Sequence, residues 1–234
     1  IYKIYENFSG YFKVFQQLNE TVKSKQNVSH HYDLKEDLYK LFLDKDMQYS
    51  CAYFHNENIS LEQAQIDKKN HIINKLKIEE NMNVLDIGCG WGGMALEIAK
   101  QTGAKVKGIT LSENQYTTAS KRAHEEGLSD KVSFQIQDYR NENLKYDRIV
   151  SIGMFEHVGI KYFKPYLKKT YDLLKDNGVF LLHTIGQRGI PTATSPWIRK
   201  YIFPGGYIPS LSDIIMETQK LNINITDIEI LRLH

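Results

Sequence analysis

The sequence predicts an α/β fold: a doubly wound, mainly parallel sheet preceded by helices. Three observations predict it. Short apolar runs alternate with helical patterns from Val84 to His183. The first run, Val84-Leu85-Asp86-Ile87, breaks into Gly88-Cys89-Gly90-Trp91-Gly92-Gly93 and resumes as an amphipathic helical pattern at Met94. Polar residues stand at the tips of successive runs, Asp86, Thr110, Gln137 with Asp138, Glu156 with His157, and His183, where such sheets bind ligands.

The chain of 234 residues is 41% hydrophobic, enough for one substantial domain with an N-terminal extension. Its net charge of +2 comes from interspersed acids and bases, so no basic field demands nucleic acid. No apolar run is long enough to cross a bilayer, and Ile1-Tyr2-Lys3 does not open a secretory signal. Cys51 and Cys89 lie far apart without metal-type spacing, so no metal is expected and a reducing compartment is.

Taken in order, Ile1, Ile4, Tyr5, Phe8, Phe12, Phe15 and Leu18 fall at helical spacing. A helix packed on the domain is expected; a membrane-surface helix is the alternative, with only Lys3 and Lys13 as positive charges. Asp33 and Glu36 resemble a capping box for a helix carrying Leu34, Leu38, Leu41 and Phe42. The His30-His31 pair before it has no further ligand nearby. Ser60 and Gln63 cap a helix carrying Leu61, Ala64, Ile72, Ile73 and Leu76. Strands follow at 84–87, 106–109, 132–136, 148–152 and 179–183, with helices near 94–99, 113–127 and 161–174 between them. The irregular stretch Gly186–Pro209, containing Trp197 beside Arg199 and Lys200, reads as a lid over the ligand end of the sheet. A helix near 212–222 and a strand near 225–232 close the chain.

Strand, glycine turn and helix start form a cradle whose free N–H groups suit an anionic or polar ligand. Gly88, Gly90 and Gly93 fit G-x-G-x-x-G, a weak signal alone. A dinucleotide would require an acid at the tip of the second strand, yet Val106–Ile109 runs into Thr110-Leu111-Ser112. Asp86 directly before the glycines would crowd a pyrophosphate and attract an ammonium. These features favour a cationic amino-acid ligand such as S-adenosylmethionine over a nicotinamide. Cys51, inside the aromatic stretch Tyr49-Ser50-Cys51-Ala52-Tyr53-Phe54, reads either as a small buried residue or as a nucleophile lacking a visible base.

Several motifs together resemble cyclopropane fatty acid synthases, within the wider group of mycolic acid cyclopropane synthases. They are His31-Tyr32-Asp33, Tyr49–Phe54, Leu85–Gly92, Gly108-Ile109-Thr110-Leu111-Ser112, Ser151–Gly159, Leu182-His183-Thr184-Ile185 and Ile202-Phe203-Pro204-Gly205-Gly206. The resemblance runs from about His30 to the end, which divides the chain into an N-terminal helical extension, 1–29, and a methyltransferase domain, 30–234. It implies the Rossmann-like methyltransferase version of the doubly wound sheet and S-adenosylmethionine as methyl donor. Tyr49 and Ser50 would then close over the donor, and the turn from Asp86 through Gly88 and Gly90 to Gly92 would hold its methionine end. Thr110, Leu111 and Gln115 would face the ribose; Gln137 and Asp138 would meet the adenine.

The implied reaction converts the cis double bond of unsaturated phospholipid acyl chains into a cyclopropane. Methyl-cation transfer to an alkene leaves a carbocation, which must be kept from water in a dry pocket, and ring closure removes a proton. In the family a bicarbonate ion is thought to take that proton, held by groups matching Cys51, Glu156, His183 and Ile185, the isoleucine through its backbone alone. The implied setting is cytoplasmic, at the inner face of the membrane, with phospholipid and no nucleic acid as partner; a homodimer is left open. Family members continue past a His-Tyr-Ala motif, whereas this sequence stops at His234. A truncated chain that binds the donor but turns over little lipid is therefore expected. Methyl branching without ring closure, methylation of a small amine, and a non-catalytic donor-binding fragment remain the alternatives.

Overall fold

The structure, a computed structural model, describes residues 36–189, 194, 195, 197, 198 and 206–232. The expected helix in residues 1–20, the His30-His31 pair, the Asp33 cap and most of the Phe-Pro-Gly-Gly motif lie outside the described residues.

After α1 (Glu36–Lys40) and α2 (Leu61–Leu76) the chain alternates. It runs β1 (Asn83–Ile87), α3 (Gly93–Thr102), β2 (Lys105–Thr110), α4 (Glu113–Glu125), β3 (Val132–Ile136), β4 (Tyr146–Ile152), α5 (Phe163–Leu173), β5 (Leu174–His183) and α6 (Leu211–Lys220). The sheet has the order β3-β2-β1-β4-β5 and every pairing is parallel. The predicted doubly wound class is therefore present.

Alternation along the strands sorts the core onto two faces. Val84 and Val150 pack with Ile72, Ile73 and Leu76 of α2 and with Leu96 and Ile98 of α3. Their neighbours Leu85, Ile87 and Ile149 point the other way, onto Phe163, Tyr166 and Leu167 of α5. Ser60 accepts from the Gln63 N–H at 3.2 Å and starts α2 where its sequence predicts.

Several boundaries depart from the sequence reading. α1 ends at Lys40, so Leu41 and Phe42 lie past it and are exposed, at 81% and 51%, instead of lining a helix face. The 161–174 helix is a 3-10 turn, Ile160–Tyr162, followed by α5, and Leu174 already pairs with Tyr146. Residues 225–232 form no strand. They run without ladder partners and are held to α2 by ion pairs, Lys75 with Asp227 and Glu229 and His71 with Glu229. Side-chain charge there supplies what backbone pairing was expected to supply.

Gly92 caps α3 at φ +85°, a backbone region costly for any residue with a Cβ. A Cβ there would stand 2.7 Å from the Phe134 ring and 2.9 Å from Ala119 Cβ. Gly92 thus lets α3 seat against β3 and α4. Gly92→Ala should cost about 2–5 kcal/mol, the sum of the left-handed backbone and overpacking terms. Urea unfolding with an unchanged m-value checks this.

Candidate active site

β1 and β4 lie side by side at the sheet centre, but β1 continues to β2 and β4 to β5, in opposite directions. The crevice outside their C-terminal ends is the place where doubly wound sheets bind ligands. It holds two pockets here, and a single loop separates them.

The first pocket is a cleft of about 1170 Å³ counted to its open mouth. Tyr49, Ser50, Asp86, Gly88, Gly90, Thr110, Leu111, Gln115, Gln137 and Asp138 all line it. Of the predicted donor-contacting residues, Gly92 alone is absent, turned instead into the packing of α3. Asp86 sits between Gly108 and Val150 in the ladder, 2% exposed, and its Oδ2 has no hydrogen-bond partner. Burial raises its carboxyl to about 7 against the opposing pull of Lys68. At Gly90, φ is +54° and the space a Cβ would take is open, leaving bare backbone beside the cleft. An orphaned acid beside exposed backbone fits an amino-acid ligand with a free ammonium.

At the far side Thr110 donates to Gln115 Oε1 at 2.7 Å, so two predicted ribose partners are already joined. Gln137 donates to Glu142 at 2.9 Å and accepts from Lys107 at 3.3 Å. Asp138 accepts from the Arg140 backbone N–H at 2.9 Å and from its Nε at 2.8 Å. An incoming amine would therefore share Asp138 with Arg140, a partner the sequence reading did not assign to it. His157, Met154 and Tyr162 complete the wall and were likewise not among the predicted contacts.

The second pocket brings together the other four predicted residues, Cys51, Glu156, His183 and Ile185, with Phe42, Phe54 and Leu61. Cys51 is exposed, which removes its reading as a small buried residue. Glu156 is fully buried on the turn Phe155–His157; its Oε1 accepts from the Ile185 N–H at 2.6 Å and its Oε2 has no partner. Burial pushes its acid up, opposed by the Ile185 N–H. Ile185 was expected to offer its backbone to a bound ion; its N–H is instead spent on Glu156, which it orients. His183 ends β5 with Nδ1 unpartnered, held down at about 4 by burial and by the Lys68 charge. It is a neutral imidazole at ordinary pH.

Gln48, Tyr49, Ser50 and Gly153 line both pockets. The first three share one loop, which is held from α2; Gly153 follows β4. Gln65 donates to the carbonyls of Gln48 (3.2 Å) and Ser50 (3.0 Å), and Lys68 to Gln48 Oε1 (3.1 Å) and Ser50 Oγ (2.7 Å). One step earlier, Asp46 pairs with Lys69 at 2.8 Å and with Arg122 of α4. Burial pushes its carboxyl up, but the two cations hold it below the usual range. Sequence reading missed Gln65, Lys68 and Lys69. One signal was present: Lys68 stands four residues from both Ala64 and Ile72, a lysine on the buried stripe of its helix.

The tips of five parallel strands and this cleft define the class, the Rossmann-like fold of S-adenosylmethionine-dependent methyltransferases. Coclaurine N-methyltransferase shares that fold at 24% identity, TM-score 0.70. More narrowly, the chain belongs to the mycolic acid cyclopropane synthetase family, whose sequence profile matches residues 19–234. It is 47% identical over 189 residues to cyclopropane-fatty-acyl-phospholipid synthase of Escherichia coli K12, covering 81% of this chain and 48% of that protein. It is 41% identical over 214 residues to a probable fatty acid methyltransferase of Pseudomonas putida, covering 88% and 54%. The chain thus spans about half the length of these relatives. Among solved structures, the cyclopropane synthase MmaA2 of Mycobacterium tuberculosis superposes with TM-score 0.80 at 35% identity, covering 87% of this chain and 76% of that one. Mycolic acid cyclopropane synthase CmaA1, solved with SAH and CTAB, does so with the same TM-score and coverage at 32% identity.

The raised Asp86 acid makes stability fall as pH rises from about 4, the unfolded value, to about 7, because the folded state alone keeps the proton in that window. Asp86→Asn removes that loss. Its melting temperature should exceed the parent's at pH 8 and match it near pH 4, read by calorimetry at both pH values.

Proposed function

We propose that this chain transfers a methyl group from S-adenosylmethionine to the cis double bond of unsaturated phospholipid acyl chains, closing it to a cyclopropane. The observation that carries this reading is the shared wall. A cleft with polar groups at its strand tips, suited to an amino-acid-bearing donor, and an apolar pocket with buried acid and imidazole meet at Tyr49, Ser50 and Gly153. The CmaA1 structure with SAH and CTAB supports it, as does the likeness to a phospholipid synthase.

Asp86 would take the donor's ammonium, Gly88 and Gly90 its backbone side, Thr110, Leu111 and Gln115 the ribose, and Gln137 with Asp138 the adenine. The donor, when bound, supplies an electrophilic sulfonium methyl. Cys51, Glu156, His183 and Ile185 surround the place where a bicarbonate ion would sit, and that ion supplies a base too weakly nucleophilic to trap a cation. Glu156, pushed toward its neutral form by burial, can donate a proton-bearing oxygen to such an anion. His183, neutral with Nδ1 unpartnered, can accept the proton afterwards. Leu43, Ala52 and Phe54, buried or half-buried, give that pocket the apolar wall that would keep water from the reacting carbons.

No helix among the described residues is long and apolar enough to cross a membrane. The exposed Leu41, Phe42 and Leu61 make contact with a lipid surface the expected mode of approach.

The test is mass spectrometry of unsaturated phospholipid vesicles incubated with S-adenosylmethionine and the protein, alone and continued past His234. A gain of one CH2 per chain in a product that resists cleavage by ozone, its alkene gone, is the expected result. The same gain with the alkene retained would replace ring closure by methyl branching. Stripping bicarbonate from the buffer should depress ring formation reversibly. Glu156→Gln should lower turnover by roughly 10²–10⁴-fold while donor affinity holds. Asp86→Asn should abolish the donor's thermal shift.

A further inference from the structure

Lys68 is a buried cation whose two hydrogen-bond partners line both pockets, and the reading above gives it no role. It is 2% exposed, on the apolar stripe of α2 between Ala64 and Ile72. A buried ammonium is costly unless its hydrogen bonds are made and its charge is used. Lys68 makes two, to Ser50 Oγ at 2.7 Å and to Gln48 Oε1 at 3.1 Å, and both partners lie in the loop that divides the pockets.

We propose that Lys68 is the positioning residue shared by both pockets: its ammonium fixes the dividing loop through Ser50 and Gln48, and its charge acts on Asp86 on one side and His183 on the other.

The geometry of the loop supports the first half. Residues 44–51 have no ladder or helix of their own; their side chains and carbonyls hang on Gln65, Lys68 and Lys69, one turn of α2. Gln65 and Lys69 hold the carbonyls and Asp46, whereas Lys68 reaches the side chains of two residues that line both pockets, Gln48 and Ser50. Removing it releases Ser50 Oγ and Gln48 Oε1 without cutting the loop loose, since Gln65 keeps both carbonyls and Asp46 keeps the Gln48 amide.

Electrostatics supports the second half. The groups facing Lys68 are Asp44, Asp46 and Cys51 in the loop, Lys69 on its own helix, Asp86 at the tip of β1 and His183 at the tip of β5. Burial lowers the Lys68 ammonium to about 8; Asp44, Asp46 and Cys51 oppose that shift and Lys69 adds to it. Lys68 in turn favours the ionised form of Asp86, which the donor's ammonium requires, and the neutral form of His183, which a proton acceptor requires. One charge therefore favours the deprotonated form in both pockets, a carboxylate at Asp86 and a neutral imidazole at His183, each the form the chemistry uses.

The experiment compares the parent with Lys68→Met, Lys68→Arg and Ser50→Ala, using two readouts. NMR follows the His183 imidazole through its titration; calorimetry measures S-adenosylmethionine affinity. In Lys68→Met the His183 midpoint should rise toward its ordinary value, stopping short because burial remains, and donor affinity should fall roughly tenfold. Lys68→Arg keeps the charge and should leave the His183 midpoint at the parent's position. Ser50→Ala should weaken the donor without moving His183. Where Lys68→Met fails to fold, Lys68→Gln takes its place.

An unmoved His183 midpoint in the folded methionine or glutamine variant would overturn the proposal. So would an equal movement in Ser50→Ala, which would assign the effect to loop position and not to charge. Unchanged donor affinity in the charge-removed variant would remove the loop-fixing half. The donor arm rests on the proposed donor reading and the imidazole arm does not. A parent that binds no donor would sink that reading and leave the His183 titration to judge Lys68.

Discussion

Seating a turn with no secondary structure between two pockets requires an anchor outside the turn. In this molecule the anchor is the buried polar face of α2. Gln65, Lys68 and Lys69 rise from one helical turn and hold the loop by its carbonyls, its side chains and Asp46. Lys69 also reaches Glu97 of α3 at 2.9 Å, and Arg122 of α4 closes the circle through Asp46 and the Trp91 carbonyl at 2.9 Å. Three helices on one face of the sheet thus meet at Asp46. The donor-side cleft keeps its shape only while they stay in register, so the stability of that face and the geometry of the cleft are the same physical fact.

The sheet was legible because its signal is short-range and repeated. Each strand carries a short apolar stretch with a polar residue at or just past its C-terminal end, and parallel pairing leaves those tips on one edge. The tips Asp86, Thr110, Glu156 and His183 follow from the order of the runs alone. Legibility failed where a residue's role depends on a neighbour distant in sequence. Gly92 read as a cradle residue because it stands in a glycine turn; its hydrogen faces Phe134 and Ala119, which local pattern cannot reveal. Ile225–Arg232 carries a strand-like pattern but meets α2 side chains and no strand among the described residues. Asp138 fails for a different reason: Arg140 is only two residues away, but the contact depends on the 3-10 turn Tyr139–Asn141, which the pattern did not mark.

Lys68 is the instructive miss. Charged residues are read as solvated by default, and Lys68-Lys69 looks like an ordinary exposed pair. Helical periodicity puts Lys68 on the Ala64–Ile72 stripe, which makes it a buried charge or an error in the helix assignment. With Ser60 capping the helix in the expected place, the first option was the stronger one, and a buried charge calls for partners of opposite sign or polar character. Sequence proximity does not supply them. Asp44, Asp46 and Gln48 lie about twenty residues upstream, in a stretch whose aromatic content drew attention to packing.

Of the unpaired buried polar atoms among the described residues, Asp86 Oδ2, Glu156 Oε2, His183 Nδ1 and Gln65 Oε1 belong to residues lining the two pockets, whereas those of Tyr146, Ser151 and Tyr166 lie elsewhere in the core. The four at the pockets are where a ligand could complete the fold. Each costs on the order of 1–3 kcal/mol while unsatisfied. A core built only for stability would shed them, and hydrophobic replacements at such positions are often neutral or stabilising. Their positions also differ in kind. Asp86 Oδ2 is an acceptor wanting a cation; Glu156, driven toward its neutral form, is a donor wanting an acceptor; His183 is a base kept free of protons. A single ligand cannot satisfy all of them. One pocket is poised for a positive group and the other for an anion with a proton acceptor beside it. That division favours a two-substrate reaction over a binding module, because a module that holds one ligand has no use for the second, oppositely poised set.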